Sequence, residues 1–407
     1  MDVRIAARNV FRNTRRTVLT LMVIALGVAA LIVFAGFIDN SQESLRETTI
    51  KNRFGHFQVA KRAYWEDRAG GSLGKFVIVD HRELRADFER LPHVRKVSAT
   101  LDFTGLIGNG ELSLAFVGRG MDIDPTTDPT WNFPRLVAGR VKGNTTPNAG
   151  FVGKGLVRGL RSQLHDNLVL LSTTTRGALN AMDVSVEGVL ETGSREYDDT
   201  IVIIPLARAQ ALLNTRGVLT LTVFLDQTKH LPEILPVARR YIAERHPDLE
   251  IRPWWTLATF YQQVVDMGKA IFNVLGLIIG TIVTFSIVNT FLMSLFERVD
   301  EIGTMRAIGA TRTRILRLFL LEGLLLGVIG GVVGVVVATV FAQLVSIRGI
   351  YIPPLPSFSL GYYARINVVP SVLVQAFAVG VATAVLASVY PAIRAARLNV
   401  IDAIRHV

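Results

Sequence analysis

The chain has 407 residues, half of them hydrophobic, with 44 Lys and Arg against 33 Asp and Glu and no cysteine. The absence of cysteine excludes a disulfide framework and any thiolate metal site. The basic excess does not indicate nucleic-acid binding, because it is concentrated in short segments beside apolar runs and so follows the rule for membrane topology.

Four runs without a formal charge are long enough to cross a bilayer, which requires about 20 residues. They cover 17–38, 270–296, 323–347 and 366–393. Buried helices of soluble proteins rarely stay apolar over such lengths, so the sequence predicts four transmembrane helices. A cleaved signal peptide is the alternative for the first run, but its 22 uncharged residues exceed the usual apolar region of about 7–15 residues.

Before the first run, the chain carries five Arg and one Asp. Arg4, Arg8, Arg12 and Arg15 fall on one stripe of a predicted helix over 1–16. This stripe suits an amphipathic helix at an anionic cytosolic membrane surface. A plain topology signal explains the same arginines equally well.

The polar segments alternate in charge along the chain. Segment 297–317 has five Arg against three acidic residues, and the tail 394–407 has three Arg against one Asp, whereas 39–266 has 28 basic and 27 acidic residues. Short basic segments stay on the cytoplasmic side of a membrane. We therefore expect both termini and 297–317 in the cytosol, and 39–266 outside.

Residues 39–266 are too many for a loop and are predicted to form an α+β domain inserted between helices 1 and 2. A strand–helix–strand pattern occurs twice, over 54–60, 81–92 and 94–103 and again over 218–226, 231–247 and 249–254. Two such units can close into a ferredoxin-like lobe, here 50–103 with 218–254. The strand-rich segment 104–217 would be an inserted β-rich lobe.

Aromatic residues precede the second span. Trp254, Trp255, Phe260 and Tyr261 suit a membrane-interface belt. The helical pattern continues from them into the span, which predicts one long, stiff helix rising out of the membrane. A short aromatic anchor without a mechanical role is the alternative.

The segment ERVDEIGTMRAIGATRTRILRLFLLEG occupies 297–323 between two apolar runs. Ile302, Met305 and Ile308 are three residues apart and would share one face of a short amphipathic helix. An ordinary solvated loop is the alternative, but an apolar face on a short cytosolic helix needs burial, and a partner protein beneath the membrane would provide it.

The turn that follows this helix has its own residue signals. Gly309 can adopt the left-handed conformation that ends a helix. Thr311 can cap the helix that comes next. The sequence therefore predicts a short helix and turn over 297–314, followed by the third span.

This segment resembles the signature of the FtsX/MacB-like permeases, the type VII ABC transporter superfamily. Segments 8–32, 390–407 and 137–172 resemble the N-terminal helix with first span, the C-terminal tail and the outer-domain motif of that family. Two departures warn against assigning a subfamily by detail. Val400 stands where the family often has Pro, and His165 stands where Gly is common.

The resemblance implies that the short helix docks on an ATPase subunit. The residues expected to couple the two proteins are Glu297, Glu301, Ile302, Met305, Arg306, Ile308 and Gly309. The implied partners are a cytosolic ABC ATPase dimer, a second permease copy or paralogue, membrane lipid, and either a lipoprotein cargo or a periplasmic adaptor.

Within the family, the layout resembles the lipoprotein-releasing Lol permeases, which implies a bacterial inner-membrane location and an amphiphilic cargo. Two other functions stay open. One is export of small molecules or peptides by a tripartite pump, and the other is FtsX-like regulation of cell-wall hydrolases.

No phosphate-binding loop of the type G-x-x-x-x-G-K-[ST] occurs in the sequence. The nearest stretch, 150–156, has Gly155 after Gly153–Lys154 and so lacks the hydroxyl that holds magnesium. ATP and Mg²⁺ are therefore expected on a separate chain, with no cofactor in this one. No two of the seven histidines stand at i, i+3 or i+4, so neither a metal site nor a catalytic constellation is predicted.

Glu322 borders the third span, where a carboxylate is costly unless paired or hydrated. It is predicted to pair with an Arg of the 297–323 segment, and the alternative is a direct role in transmitting motion. The pairs Gly276/Gly280 and Gly323/Gly327 have the GxxxG spacing that lets helices approach closely. The resemblance implies a permease–permease interface there, and packing within the chain is the alternative.

The predicted fold is thus a membrane protein of four transmembrane helices with a large α+β extracytoplasmic domain between the first two. The predicted segments are 1–16 (N-terminal helix), 17–38 (first span), 39–266 (outer domain), 267–296 (second span), 297–314 (coupling helix and turn), 315–347 (third span), 348–366 (outer loop), 367–393 (fourth span) and 394–407 (cytosolic tail).

Overall fold

The computed structural model of the protein describes residues 2–67, 73–123, 135–140, 148–353 and 362–397. The chain divides into two compact units. The helical unit comprises Met1–Glu43, Val264–Tyr351 and Tyr363–Val407, and the α+β unit comprises Ser44–Gln263 and Ile352–Tyr362. Residues 398–407 of the predicted tail and 141–147 of the outer-domain motif lie outside the described residues.

In chain order the described helices are α1 (Asp2–Arg12), α2 (Thr14–Thr49), α3 (Tyr64–Asp67), α4 (His81–Glu89), α5 (Lys154–Gly159), α6 (Arg195–Asp198), α7 (Leu206–Leu213), α8 (Leu231–Arg245), α9 (Trp254–Leu257), α10 (Thr259–Glu297), α11 (Val299–Ala307), α12 (Arg312–Arg348) and α13 (Pro370–Ala396). A π-helical turn covers Ile50–Phe54, and 3-10 turns cover Leu73–Phe76 and Thr228–His230.

The described strands are β1 (Phe57–Lys61), β2 (Val94–Gly108), β3 (Ser113–Met121), β4 (Arg135–Gly139), β5 (Ala149–Gly153), β6 (Asn167–Thr173), β7 (Leu179–Glu191), β8 (Ile201–Pro205), β9 (Thr220–Leu225), β10 (Leu249–Pro253), β11 (Ile350–Ile352) and β12 (Tyr362–Ala364).

Helices α2, α10, α12 and α13 are long and apolar enough to cross a membrane, which confirms the four predicted spans. Two of them extend well past the predicted limits, since α2 runs to Thr49 and α10 begins at Thr259. At 1.5 Å per residue, α10 measures about 58 Å, nearly twice the thickness of a bilayer core. The second span is therefore one long helix, whereas Trp254 and Trp255 lie in the separate helix α9.

The helical unit is held together by one apolar core to which α1, α2, α10, α11, α12 and α13 all contribute. Its buried members include Val10, Ile24, Ile287, Ile302, Phe319 and Ala387. Since α1 and α11 share this core with the four long helices, both short helices are structural parts of the bundle.

The α+β unit is built on one ten-stranded sheet, with the order β10-β1-β9-β2-β3-β8-β5-β7-β4 and β6 paired to β2 and β7. Strands β10, β1, β9 and β2 pair antiparallel throughout. With α4 between β1 and β2, and α8 between β9 and β10, this is the arrangement of a ferredoxin-like unit. The two predicted strand–helix–strand patterns thus meet in one sheet.

The predicted limit between the two lobes, at residues 103 and 104, falls inside β2. On one edge of β2, β9 pairs as far as Thr100 and β6 takes over at Gly105, while β3 pairs along the other edge from Thr100 to Gly108. A side chain at position 105 would meet the carbonyl oxygen of Leu171 at 2.1 Å. Glycine there lets β6 approach, so the β-rich segment 104–217 continues the same sheet.

Candidate functional site

The polar segment between the second and third spans forms helix α11, a turn and the start of α12. Gly309 has φ +102°, in the left-handed region. The Ala310 amide donates to the Met305 carbonyl (3.0 Å) and the Gly309 amide to the Arg306 carbonyl (3.1 Å), which is a Schellman ending. Thr311 Oγ1 accepts from the Arg314 amide (3.3 Å). The predicted glycine turn and threonine cap are both confirmed.

The predicted exposed face of this helix requires a correction. Ile302 is 0% exposed and belongs to the core of the helical unit, Met305 is half-buried against the same core, and Ile308 is 83% exposed. The three residues do not share one accessible face, because Ile302 points into the bundle and Ile308 lies past the last helical residue, Ala307. The accessible apolar residue of the segment is therefore Ile308, next to Gly309.

A buried ion pair anchors α11 to the bundle. Arg298, at the N-cap of α11, donates from Nη1 to Glu322 Oε1 (3.2 Å) and from Nε to Glu301 Oε2 (3.2 Å). Asn9 Nδ2 of α1 donates to the same Glu322 oxygen (2.7 Å). The side chains of Arg298 and Glu322 are 10% and 5% exposed. Glu322 thus pairs with an Arg of the 297–323 segment, as predicted.

More exposed contacts extend this arrangement toward the N-terminus. Arg12 pairs with Glu301, Arg16 pairs with Glu297, and Asn13 Nδ2 donates to Glu297 Oε2 (3.0 Å). Burial raises the pKa of Glu301, but the hydrogen bonds and charges of Arg12 and Arg298 outweigh it and hold that pKa below its ordinary value.

We call these eight residues the Arg298 network: Asn9, Arg12, Asn13, Arg16, Glu297, Arg298, Glu301 and Glu322. They connect α1, α2, the end of α10, α11 and α12. Several of them line a polar cavity of about 60 Å³, to which Thr20 and Thr290 also contribute. A cavity of this size and polarity is suited to hold water.

The sequence reasoning missed Asn9, Asn13 and Arg298, and it did not predict that Glu301 and Glu297 pair with Arg12 and Arg16. The arginine stripe was assigned to lipid or to topology. A signal was available, since Arg12 and Arg16 are four residues apart, as are Glu297 and Glu301. Matching spacings in two chain segments let two ion pairs form side by side, here across the α1–α2 and α10–α11 junctions.

The predicted interface glycines of α12 are occupied within the chain. A Cβ on Gly323 would meet the Ser388 side chain at 2.6 Å, and one on Gly327 would meet Ala384 Cβ at 2.9 Å. Both contacts are with α13. The prediction that Gly323 and Gly327 face a second permease is corrected, because these glycines already serve a close approach between α12 and α13.

The glycines of α10 are different. A Cβ on Gly280 would have nothing within 4 Å, and one on Gly276 would only touch Leu31 at 3.9 Å. Nearby on this helix, Leu277 and Phe285 are 72% and 71% exposed. Gly276 and Gly280 therefore remain accessible within this chain, and their predicted role at a permease–permease interface stays a prediction.

In the α+β unit, the structure brings His93 beside Asp226 and His230, which are four residues apart and lie more than 130 residues further along the chain. His93 Nδ1 lies 3.0 Å from Asp226 Oδ2, and His230 Nδ1 lies 2.7 Å from Asp226 Oδ1. The spacing rule that predicted no metal site considered pairs of histidines on one helix and so did not detect this cluster.

Two families of known proteins match the chain. The family described as MacB-like periplasmic core domain matches residues 17–235. The family described as FtsX-like permease C-terminal matches residues 273–400. Together the two matches include α12 and α13 completely, most of α2 and α10, most of the α+β unit and the turn at Ile308 and Gly309.

Three curated relatives illustrate the similarity. An uncharacterized ABC transporter permease, YvrN of Bacillus subtilis, is 22% identical over 99% of each chain. The macrolide export ATP-binding/permease protein MacB of Brucella melitensis is 24% identical over 97% of this chain and 59% of that protein. The lipoprotein-releasing system transmembrane protein LolE of Haemophilus influenzae is 23% identical over 92% of this chain and 91% of that protein.

Proposed function

Because this chain belongs to the MacB/FtsX-like family of ABC transporter permeases and is a multi-pass membrane protein, we propose that it couples ATP hydrolysis on a separate cytosolic ATPase to motion of its α+β unit. The observation that carries the proposal is the contrast within α11. Ile302 and Arg298 anchor the helix in the bundle, while Ile308 stands exposed at its end.

A separate ATPase is supported by the relatives that match over nearly their whole length, the permease YvrN and the transmembrane protein LolE. MacB, of which the chain spans 59%, is by contrast described as an ATP-binding/permease protein. A phosphate-binding loop is absent from the 407 residues. ATP and Mg²⁺ would therefore be bound by the partner.

The Arg298 network supports a rigid connection from the turn at Ile308 and Gly309 to the long helices. A force applied at Ile308 would be transmitted to α11. Helix α11 is joined to α12 by the Arg298–Glu322 pair and to α1 by the Arg12–Glu301 pair. Arg306 Nη1 also donates to the Ala396 carbonyl at the end of α13 (3.0 Å). The short helix would thus move together with α1, α12 and α13.

The proposal places both termini and Ile308 in the cytosol and the α+β unit outside a bacterial inner membrane. The basic segments around 1–16 and 297–317 support this orientation. Since the chain has no cysteine, single substitutions give unambiguous labelling. Leu179→Cys, at a position 73% exposed on the α+β unit, should react in intact spheroplasts with an impermeant thiol reagent, and Ile308→Cys should not. Reversed labelling would overturn the orientation.

Docking at the turn is tested by Ile308→Asp. Because Ile308 contributes little to the core, this variant should fold normally yet lose at least about tenfold in affinity for the ATPase, the loss of one interface anchor of 1.4 kcal/mol or more. The matched control is Thr304→Asp, which places the same charge at an exposed position on α11. Retained ATPase binding by Ile308→Asp would contradict the proposed docking role.

For cargo, we propose lipoproteins or other amphiphiles drawn from the outer leaflet of the inner membrane. The similarity to LolE over 91% of that protein favours this class. Depletion of the chain should leave acylated lipoproteins in the inner membrane, measured by membrane fractionation and quantitative proteomics. Normal lipoprotein sorting after depletion would eliminate this cargo.

Export of small molecules is the second candidate, and the similarity to the macrolide export protein MacB favours it. In that case depletion should raise sensitivity to exported compounds while lipoprotein sorting stays normal. An adaptor protein that co-purifies with the α+β unit would support the same reading. FtsX-like control of cell-wall hydrolases would instead show as a division or lysis defect with neither of these effects.

A further inference from the structure

The α+β unit carries a second chemical cluster that plays no part in ATPase coupling. It consists of His93, Asp226 and His230, whose potential ligand atoms all lie within 4.8 Å of one another. We propose that these three residues bind a single divalent transition-metal ion, for which Zn²⁺ is the appropriate probe. The proposal is independent of the transport function.

Three different elements bring the ligands together. His93 lies in the turn between α4 and β2, Asp226 directly follows β9, and His230 ends the 3-10 turn before α8. The Asp226 amide donates to the His93 carbonyl (3.0 Å), and the His230 amide donates to the Gln227 carbonyl (3.2 Å). The backbone therefore fixes all three residues before any ion binds.

The distances suit a tetrahedral metal. With bonds of about 2.0–2.1 Å to imidazole nitrogen and carboxylate oxygen, neighbouring ligand atoms lie about 3.3 Å apart. The His93 Nδ1–Asp226 Oδ2 and His230 Nδ1–Asp226 Oδ1 distances are shorter, 3.0 and 2.7 Å, and the carboxylate would turn to present one oxygen to the ion. Small rotations of the side chains would open room for the ion, with the fourth position left for water.

The donor set determines the class of metal. Two imidazoles and one carboxylate suit zinc, copper, iron or nickel, whereas calcium and magnesium prefer all-oxygen sites. Binding through Nδ1 would exchange the contacts of His93 and His230 with Asp226 for bonds to the ion, with the ring protons on Nε2.

The site lies beside a hydrogen bond, internal to the α+β unit, between the turn before α8 and the last turns of α2. Thr228, between two of the ligands, donates from Oγ1 to Glu47 Oε1 near the end of α2 (3.0 Å). Thr228 Oγ1 also lies 3.2 Å from His56 Nε2. An ion on Asp226 and His230 would fix this turn, and with His93 it would join the α4–β2 half of the ferredoxin-like unit to the β9–α8 half.

The test uses the full chain in detergent, purified without a polyhistidine tag and stripped with a chelator. Equilibrium dialysis against micromolar Zn²⁺ should give one ion per chain, and Mg²⁺ in large excess should not displace it. X-ray absorption should show two imidazoles on the zinc. Binding of less than a fifth of an equivalent, or a zinc without two imidazoles, would overturn the proposal.

Variants assign the ligands. His93→Gly suits the positive φ of 62° at this position, Asp226→Asn keeps an oxygen for the Gln227 amide, and His230→Gln keeps a polar side chain. Each should weaken Zn²⁺ binding by more than the 10–100-fold typical of an outer-shell change. His246→Gln is the control and should bind as the unmodified chain does. Unchanged affinity in all three ligand variants would also overturn the proposal.

Metal-free melting separates ligand loss from misfolding. Zn²⁺ should raise the melting temperature of stripped unmodified protein and leave that of stripped Asp226→Asn unchanged. Equal stabilisation of both proteins by Zn²⁺ would place the ion elsewhere and contradict the assignment.

Discussion

Helices α12 and α10 both carry glycines at GxxxG spacing, yet the chain uses them in opposite ways. On α12, Gly327 packs against α13, and Gly334 packs against Ala25 of α2. On α10, Gly280 has no neighbour within 4 Å. The most apolar stretch of α12 is 33% buried inside the chain, and that of α10 is 11% buried.

The difference shows that spacing indicates a close approach but not the partner. Helix α12 is held inside the chain by two kinds of contact. Its glycines pack against neighbouring helices, and the charge of Glu322 is neutralised by Arg298. Helix α10 leaves its apolar surface to lipid or to another protein. Within the helical unit, α12 therefore serves as the internal scaffold, and we propose α10 as the surface for a second permease.

The largest expected effect comes from breaking the buried ion pair between Arg298 and Glu322 of α12. Arg298→Ala would leave Glu322 buried with only Asn9 as a partner and should destabilise the protein by about 3–5 kcal/mol. The measurement is thermal or denaturant unfolding in detergent, followed by the helical signal in circular dichroism, because all four tryptophans lie in the α+β unit. A loss of folding stability below about 1 kcal/mol would show that the pair is solvated and that Glu322 of α12 is less buried than described.

A double variant sharpens this result. Arg298→Met combined with Glu322→Met removes both charges while filling a similar volume, and should recover most of the stability that Arg298→Ala loses. If the double variant is as unstable as Arg298→Ala, the loss arises from packing around Arg298 instead of from an unpaired carboxylate.

The second effect concerns the glycines themselves. Gly327→Leu would drive a side chain into Ala384 and Val381, whose atoms already lie 2.9–3.4 Å from an added Cβ. Such overpacking should cost about 1–3 kcal/mol of folding stability. Gly280→Leu is the matched control on the open helix and should change stability by no more than about 0.5 kcal/mol. Equal losses in both variants would erase the distinction between the two helices.

A third effect tests what covers α10. If a second permease packs at Gly276 and Gly280, Gly280→Leu should weaken self-association or pairing with a paralogue at least about tenfold, or 1.4 kcal/mol, while the subunit itself stays folded. Fluorescence energy transfer in liposomes measures this association. Unchanged association would leave lipid as the neighbour of α10.

The smallest effect is the pH dependence of the exposed part of the network. The pKa of Glu301 lies below its ordinary value of 4.5, so its ion pairs stabilise the fold above that value and are lost as pH falls through the folded pKa. The pairs are partly exposed and should contribute about 0–1 kcal/mol. The melting temperatures of the unmodified protein and Glu301→Gln should differ at pH 7 and converge below pH 4.5. A difference that stays constant over this range would contradict the assignment.

Local signals in the sequence predicted much of the architecture. Uninterrupted apolar length predicted the four spans, and the residue chemistry of Gly309 and Thr311 predicted the turn before α12. The repeated strand–helix–strand pattern predicted a ferredoxin-like unit, because the helical and strand periods are local properties of each segment.

Features that depend on distant partners were not predictable. The inward direction of Ile302 is set by a core that five other helices share, and the neighbours of Gly327 lie on a helix about fifty residues further on. His93 and Asp226 are 133 residues apart and meet only because β2 and β9 are adjacent strands. The length of β2 was not predictable for the same reason, because it is set by pairing with the distant strands β6 and β9.

The most direct test of the account is a cross-link from the exposed turn. Ile308→Cys gives the chain a single thiol, to which a short photoreactive group can be attached in native membranes. The account predicts an adduct with an ATP-hydrolysing polypeptide, and none from the control Leu386→Cys, at a position 71% exposed on α13. If Ile308→Cys yields no adduct with an ATPase while the purified chain is folded, the proposed coupling at this turn is contradicted.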